Sequence, residues 1–173
     1  MPIKILVVED EPDLKFLIDR RFRKRVRTGE LQFLFTENGF EALKQLQTHQ
    51  DVYVVLADIN MPQMDGLSLL RELNERYPLL RTIIISAYSS MQNIRTAMNW
   101  GAHDFLPKPV NFEDLEATID RTIRHVQQLM DEITQRKKVE KQVLQLEKAV
   151  ENMQLGVTIT DLDGKIIYTN PAD

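Results

Sequence analysis

The sequence contains no cysteine, and this absence excludes several kinds of chemistry at once. Disulfide bonds, thiolate nucleophiles and cysteine-ligated zinc sites all require the sulfur atom. Histidine is almost as scarce, since only His49, His103 and His125 are present, and their positions show no spacing typical of a metal site. The sequence therefore gives no indication of a site built on either residue.

Long apolar segments are also missing. No run reaches the roughly 18 apolar residues that a membrane-spanning helix requires. The segment Met1–Lys4 lacks the charged-then-apolar layout of a secretory signal. The net charge of -4 argues against nucleic acid as the main partner. We therefore expect a cytoplasmic protein with no membrane and no nucleic-acid partner.

Positive charge is nevertheless concentrated in one segment. Six of the eight residues from 20 to 27 are cationic, namely Arg20, Arg21, Arg23, Lys24, Arg25 and Arg27. Cations at the end of a helix complement the negative pole of the helix dipole, so this cluster could serve the helix alone. It could also form a docking patch for an acidic partner, and the sequence does not decide between the two.

Short apolar segments alternate with longer segments of helical spacing over the first 125 residues. Strands are predicted at Ile3–Val8, Leu31–Thr36, Val52–Ala57, Thr82–Ser86 and Asp104–Leu106. Fully apolar strands that alternate with helices predict a parallel sheet covered on both faces. Five strands and five helices in this length indicate an α/β fold, a flavodoxin-like doubly wound sheet with strand order 2-1-3-4-5.

Glycine and proline are absent between Phe112 and Gly156, which predicts one long helix. A helix of about 40 residues is about 60 Å long and exceeds what a small sheet can cover. Its apolar residues step by four and three in alternation, as in a coiled-coil seam. The seam consists of Ile119, Ile123, Val126, Met130, Ile133, Val139, Val143, Leu146, Val150 and Met153. We expect this helix to form a homodimer, and the alternative is a single amphipathic helix packed on its own domain.

The spacing of the seam is interrupted once. Ile133 and Val139 are six residues apart instead of seven, so the seam slips by one residue and the helices should change their winding there. Beyond the helix, two β-rich segments flank the turn Asp161-Leu162-Asp163-Gly164, and this pattern predicts a short β-hairpin.

The carboxyl ends of the predicted strands collect residues that can carry chemistry. The first strand ends in Glu9-Asp10-Glu11, the third ends in Asp58, the fourth ends in Ser86-Ala87 and the fifth leads to Lys108-Pro109. Ligands of an open parallel sheet bind at this edge. Each residue alone has an ordinary structural explanation, such as a helix cap or a turn. Their coincidence at one edge favours a site.

Clustered carboxylates repel one another unless a cation neutralises them. Mg²⁺ suits such a cluster because it takes one or two carboxylates and keeps waters for an incoming phosphate. A carboxylate can itself attack phosphorus and form an acyl phosphate. The transfer then requires positioning and charge neutralisation, to which Lys108 can contribute charge and Ser86 a hydrogen bond.

These motifs resemble the response-regulator receiver family over residues 1–124. The matching segments are Ile5–Glu11, Val55–Gly66, Ile83–Ala87 and Gly101–Pro109. The resemblance implies that Asp58 is the phosphoacceptor. It also implies an Mg²⁺ site formed by Glu9, Asp10, Asp58 and the backbone carbonyl of Asn60.

The same resemblance assigns the residues around the phosphoryl group. Ser86 is the switch hydroxyl, Lys108 pairs with the phosphate, and the Lys108–Pro109 bond is cis. Phe105 occupies the position of the switch aromatic, which is often Tyr in the family, so switching here would work by packing alone. Tyr88 lies where side chains tune the access of water to the acyl phosphate.

The segment Leu146–Ala172 resembles the opening of a PAS sensor domain and covers only its entry helix and first hairpin. We therefore expect three parts in a fragment of a larger signalling protein. They are a receiver domain (1–124), a coiled-coil linker helix (125–153) and the start of a PAS domain (154–173).

The resemblance implies a phosphoacceptor of a two-component phosphorelay, and not an enzyme. A sensor histidine kinase or a phosphotransfer protein would supply the phosphoryl group. A DNA-binding factor is disfavoured because no helix-turn-helix pattern follows residue 125. An Mg²⁺-dependent phosphatase is the enzymatic alternative, but it would require a second carboxylate at Asn60.

Overall fold

A five-stranded parallel sheet forms the centre of the first of two compact units, Met1–Gln127 and Gln128–Asp173. The structure is a computed structural model and describes residues 2–87, 91–152 and 156–169. The strands of the sheet are β1 (Ile3–Val8), β2 (Leu31–Thr36), β3 (Val52–Asp58), β4 (Arg81–Ser86) and β5 (Asp104–Pro107). The helices are α1 (Pro12–Arg27), α2 (Gly39–Thr48), α3 (Gly66–Arg76), α4 (Met91–Asn99) and α5 (Phe112–Glu151).

The order of the strands is β2-β1-β3-β4-β5, and every neighbouring pair is parallel. This order confirms the predicted flavodoxin-like fold. Both faces are covered, as the apolar strands indicate. Leu6 and Val8 of β1 belong to the core that α2, α3 and α4 close. Ile5 and Val7 alternate with them, are buried as well, and face the other side of the sheet.

The α1 helix packs on that other side next to α5. The ring of Phe22 lies 5.3 Å from the ring of Phe33 on β2. Two cations of the basic segment join the helices, because Arg21 pairs with Glu116 at 2.8 Å and Arg25 pairs with Asp120 at 2.8 Å. Part of the predicted basic cluster therefore holds α1 against α5.

The first turns of α5 belong to the core of the first unit. Ile119, Ile123 and Val126 are at most 7% exposed. The sequence pattern assigned these three residues to a dimer seam, and the structure corrects that assignment. Their side chains are already covered within their own unit, so they are not available to a second chain.

The remainder of α5 lies in the second unit and exposes its apolar side chains. Val139, Val143 and Leu146 are 55%, 48% and 66% exposed, while Met130, Ile133 and Val150 are partly buried. Met153 lies outside the described residues.

The second unit also contains an antiparallel hairpin, which the sequence predicts. It consists of β6 (Thr158–Thr160) and β7 (Ile166–Thr169). Asp161 closes the turn, since its carboxylate accepts hydrogen bonds from the backbone of Asp163 and Lys165. Among the helices in the described ranges, none has the length and hydrophobicity needed to cross a membrane.

Two histidines stack where β5 begins. The rings of His103 and His125 are 5.1 Å apart. Burial lowers the pKa of His103, and repulsion from His125, Arg81 and Arg121 acts in the same direction, against an opposing effect of Asp104. His103 is therefore held in its neutral form more strongly in the folded chain than in the unfolded chain.

We expect His103 to make the fold less stable in mild acid. The unfolded chain takes up a proton near the ordinary histidine pKa of about 6.5, and the folded chain does so only at lower pH. The free energy of unfolding should therefore fall as the pH decreases from about 6.5 toward the folded pKa. Urea unfolding at several pH values measures this slope. The variant His103→Gln should flatten it, and an unchanged slope in that variant would contradict the assignment.

Candidate functional site

Four strand ends bring the predicted site residues together at one edge of the sheet. Glu9 follows β1, Asp58 ends β3, Ser86 ends β4 and Lys108 follows β5. Carboxylate oxygens of Glu9, Asp10 and Asp58 lie within 4.8 Å of one another. Glu9 and Asp58 are buried, whereas Asp10 is exposed. The cluster is therefore anchored in the protein and open to solvent on one side.

The ammonium group of Lys108 lies among these carboxylates. Its Nζ atom is 2.6 Å from Oδ2 of Asp58, 2.8 Å from Oε2 of Glu9 and 3.8 Å from Oε1 of Glu11. The backbone N–H of Lys108 donates to the carbonyl of Ser86 at 2.9 Å, which fixes the lysine to the end of β4. The Lys108–Pro109 peptide bond is cis, the configuration that the sequence resemblance implies.

The pKa values of two groups reflect this arrangement. Burial of Lys108 opposes its charged form, but hydrogen bonds to Asp58 and Glu9 outweigh burial and raise its pKa above the ordinary value. Burial raises the pKa of Glu9, and repulsion from Asp58 adds to this effect, while Lys108 opposes it. The lysine is thus held as a cation. Its single positive charge does not balance the negative charge of the carboxylates.

The donor set fits a hard divalent cation. The three clustered carboxylates include two that contact the single ammonium group of Lys108, so the cluster carries excess negative charge. The ligand atoms are oxygens, which Mg²⁺ prefers, and Asp10 leaves one side open for water or phosphate. Glu9, Asp10 and Asp58 could hold the ion. The backbone of Asn60 is adjacent, because its N–H donates to Oδ1 of Asp58 at 3.3 Å.

The backbone around Asp58 is held on two sides. Asp58 is the last residue of β3 and is paired with Ile85 of β4. Gly66, the first residue of α3, lies so close that a Cβ atom there would be 2.0 Å from the carbonyl oxygen of Asp58. The sequence identifies Gly66 only as the last residue of the motif Val55–Gly66. The requirement for close approach was detectable only in three dimensions.

The residues that the sequence predicts to act as a switch occupy different environments. Ser86 is fully buried, and Phe105 is partly buried and packs against the core formed with α2, α3 and α4. Tyr88 lies outside the described residues. The buried hydroxyl at the end of β4 and the partly buried ring on the neighbouring strand β5 are therefore both part of the packing of the sheet.

A largely apolar groove lies beside the site, and sequence reasoning missed it. It is lined by Leu14, Leu17, Ala87, Pro109, Val110 and Phe112, with Glu11, Asp13 and Lys108 at the same opening. The N-terminal part of α1 and the segment between β5 and α5 form its walls. The groove offers a partner an apolar surface next to the ammonium of Lys108.

Most of the first unit is similar to known proteins. Residues 5–120 match the family described as the response regulator receiver domain. The DNA-binding transcriptional regulator NtrC of Klebsiella pneumoniae is 37% identical over 123 residues, which are 70% of this chain and 25% of that protein. The NtrC of Proteus hauseri is 39% identical over 121 residues, 70% of this chain and 24% of that protein.

Solved structures show the same fold. A response regulator receiver domain protein from Clostridium thermocellum superposes with a TM-score of 0.66 at 28% identity and covers 73% of this chain and 98% of its own. The chain spans about a quarter of the length of the NtrC relatives that it matches.

Proposed function

Because the chain belongs to the response regulator receiver domain family, we propose that it is the phosphoacceptor of a two-component phosphorelay and that Asp58 takes the phosphoryl group. One observation carries the proposal. The buried carboxylate of Asp58 ends a central strand, in contact with Lys108 and within 4.8 Å of the carboxylates of Glu9 and Asp10. The relatives are response regulators, which are signalling proteins, and we propose no catalytic turnover for this chain.

The chain's own residues supply most of what phosphoryl transfer requires. An oxygen of Asp58 attacks the phosphorus of a phosphohistidine or a small acyl phosphate, and the bond from phosphorus to the donor breaks in line. Lys108, already 2.6 Å from Asp58, compensates the charge of the equatorial oxygens. Mg²⁺ held by Glu9, Asp10, Asp58 and the Asn60 carbonyl would neutralise the same charge.

The groove beside Lys108 supports a protein as the phosphoryl donor. Apolar side chains such as Leu17 and Phe112 border it, so a helix of a sensor histidine kinase or phosphotransfer protein could bury apolar area there. Such contacts would hold the donor imidazole over Asp58. We propose that donor and acceptor meet in the cytoplasm.

The proposal is tested by phosphorylation with a small donor. Acetyl phosphate and Mg²⁺ should add one phosphoryl group per chain, measured by intact-protein mass spectrometry. Hydroxylamine should remove the group, because an acyl phosphate is sensitive to this nucleophile. Chelation of Mg²⁺ should abolish the adduct, since the carboxylates would then repel the donor. An adduct of equal yield in the presence of chelator would contradict the proposed metal site.

A phosphatase on the same sheet is the second candidate, and the site disfavours it. Asn60 stands where the second carboxylate of such enzymes is expected. Steady turnover of a phosphomonoester would favour the phosphatase over the receiver function.

We propose that phosphorylation acts on α5 by population shift. The phosphoryl group would draw the hydroxyl of Ser86 inward, and Phe105 would repack between β5 and its neighbours. Tyr88 would limit the access of water to the acyl phosphate. The ring of Phe105 has no hydroxyl, so its contribution is packing alone.

We further propose that the exposed part of α5 pairs with a second copy of the chain. The proposed seam consists of Met130, Ile133, Val139, Val143, Leu146 and Val150, and the remaining predicted member, Met153, lies outside the described residues. Three of these side chains are about half exposed or more, which is costly for large apolar residues in water. Part of the same face has another use, because Val143, Leu146 and Val150 line a groove with Ile159 and Tyr168 of the hairpin.

We expect a dimer in solution, and light scattering with and without beryllofluoride and Mg²⁺ measures it. A dimer in both states would place signalling in the twist of the helices. A dimer only with this phosphoryl mimic would make dimerisation the output. A monomer in both states would contradict the proposed dimer seam. The apolar face of α5 would then serve its contacts with the hairpin.

We propose that the second unit joins this receiver to a sensor module. The order of a helix followed by the hairpin of β6 and β7 supports this proposal. We propose the same three parts that the sequence predicts. They are a receiver domain at 1–124, a linker helix at 125–153 and the opening of a PAS domain at 154–173.

A further inference from the structure

We propose that the outer face of α1 is a docking surface for an acidic helical segment of a partner protein. The surface, called here the α1 cationic face, consists of Phe16, Arg20, Arg23, Lys24 and Arg27. All five residues are exposed. The surface is separate from the phosphoryl site and from the groove beside it.

The five residues lie on one side of the helix. Their positions recur at intervals of three and four, the spacing that places side chains on one face. The buried residues Leu14, Ile18 and Phe22 of the same helix point toward the sheet. At 100° per residue the two sets are on opposite sides, so the cationic face is directed straight into solvent.

The structure divides the six cations of residues 20–27 into two groups. Arg21 and Arg25 turn toward α5 and form ion pairs with Glu116 and Asp120, and Arg25 also pairs with Glu30. The other four, on the outer face, form no ion pair with any carboxylate in the part of the chain that the structure describes. Structural ion pairing therefore accounts for only two of the six.

The helix dipole accounts for two of the four cations on the outer face. Lys24 and Arg27 lie in the last turn of α1, where cations are favourable, but Arg20 and Arg23 precede that turn. Like charges at such spacing repel one another and destabilise a helix slightly. A partner that supplies carboxylates would remove this repulsion.

The position of the face separates it from phosphoryl transfer. The α1 helix starts beside the site, directly after Glu11, and runs away from it. Arg20 is eight residues beyond Pro12, which corresponds to about 12 Å along the helix axis. A partner on this face would therefore leave Asp58 accessible.

Charge complementarity favours a single acidic helix as the partner over a membrane surface or a long nucleic acid. The whole chain has a net charge of -4. A membrane surface or a long nucleic acid would also approach the acidic parts of the chain, whereas a single helix contacts only the cationic face. Carboxylates spaced by three and four residues would face the four cations, and Phe16, which is 64% exposed, offers an apolar contact at one end.

The test is fluorescence anisotropy of a labelled synthetic helix with the full chain. The helix carries four glutamates and one leucine on one face, and a control peptide of equal composition distributes them around the helix. The variant Arg20→Gln/Arg23→Gln/Lys24→Gln/Arg27→Gln should bind the first peptide at least about tenfold more weakly. The matched variant Arg136→Gln/Lys137→Gln/Lys138→Gln/Lys141→Gln removes the same charge from exposed positions of α5 and should bind normally.

Two further measurements keep the proposal testable if the fourfold α1 variant does not fold. Binding of the unaltered chain should weaken steeply with salt, and Phe16→Ala alone should lower the affinity. Equal binding of both peptides, equal losses in both fourfold variants, or preference for anionic vesicles or duplex DNA over the acidic helix would overturn the proposal.

Discussion

Asp58→Asn is expected to abolish phosphorylation by acetyl phosphate and Mg²⁺. The amide nitrogen and oxygen of asparagine are poor nucleophiles, and the substitution removes the carboxylate that Lys108 contacts at 2.6 Å. The variant should still fold, because Lys108 keeps its contact with Glu9 at 2.8 Å. Intact-protein mass spectrometry should show no phosphoryl adduct, and circular dichroism should show an unchanged helical content.

The matched control for this variant is Asp65→Asn, at the far end of the loop that joins β3 to α3. Asp65 caps α3, with its carboxylate accepting from the backbone N–H of Ser68 at 2.7 Å. Asparagine caps helices as well as aspartate does, so this variant should be phosphorylated normally. If Asp58→Asn still gained a phosphoryl group at an undiminished rate, the acceptor would be a different residue. Peptide mapping of the adduct would then identify it.

The sheet and the composition of the site were predictable from the sequence because both follow from local patterns. Apolar runs such as Val52–Ala57 indicate strands buried on both faces, and the structure contains those strands in the predicted order. The strand ends alone place Glu9, Asp58 and Lys108 at one edge. Parallel strands in an open sheet share that edge, so their terminal residues must be neighbours.

Features that depend on which side chains meet across the fold were not predictable. Ile119, Ile123 and Val126 fit a heptad pattern, but the same spacing serves a helix that packs on a sheet, and these residues are buried there. Periodicity identifies an apolar face and does not identify what covers it. Arg21 and Arg25 look like the other cations of their segment until α5 places Glu116 and Asp120 opposite them.

The close approach of Gly66 to Asp58 also depends on how distant parts of the chain meet. A Cβ atom on Gly66 would be 2.0 Å from the carbonyl oxygen and 2.8 Å from the carbonyl carbon of Asp58. The strand cannot yield easily, because Asp58 is buried and paired with Ile85 on β4. The start of α3 would have to move and would strain the hydrogen bond from Gly66 N–H to the carbonyl of Ile59.

Gly66→Ala should therefore lower the free energy of unfolding by about 3 kcal/mol, near the upper end for overpacked sites. It should also slow phosphorylation, since any relief of the clash moves Asp58 or the segment beside it.

Gly39→Ala is the control, because Gly39 also opens a helix directly after a capping residue. The three atoms nearest to a Cβ atom there belong to the side chain of Met64, with Cγ and Sδ at 2.6 Å and Cβ at 3.0 Å, and none of them is a backbone atom. A flexible methionine can turn away, and the better helix propensity of alanine offsets the remaining strain. Urea unfolding should thus separate the two variants clearly. Equal losses of stability in the two variants would mean that alanine at the start of a helix is destabilising by itself. The close approach of Gly66 to Asp58 would then not be the cause.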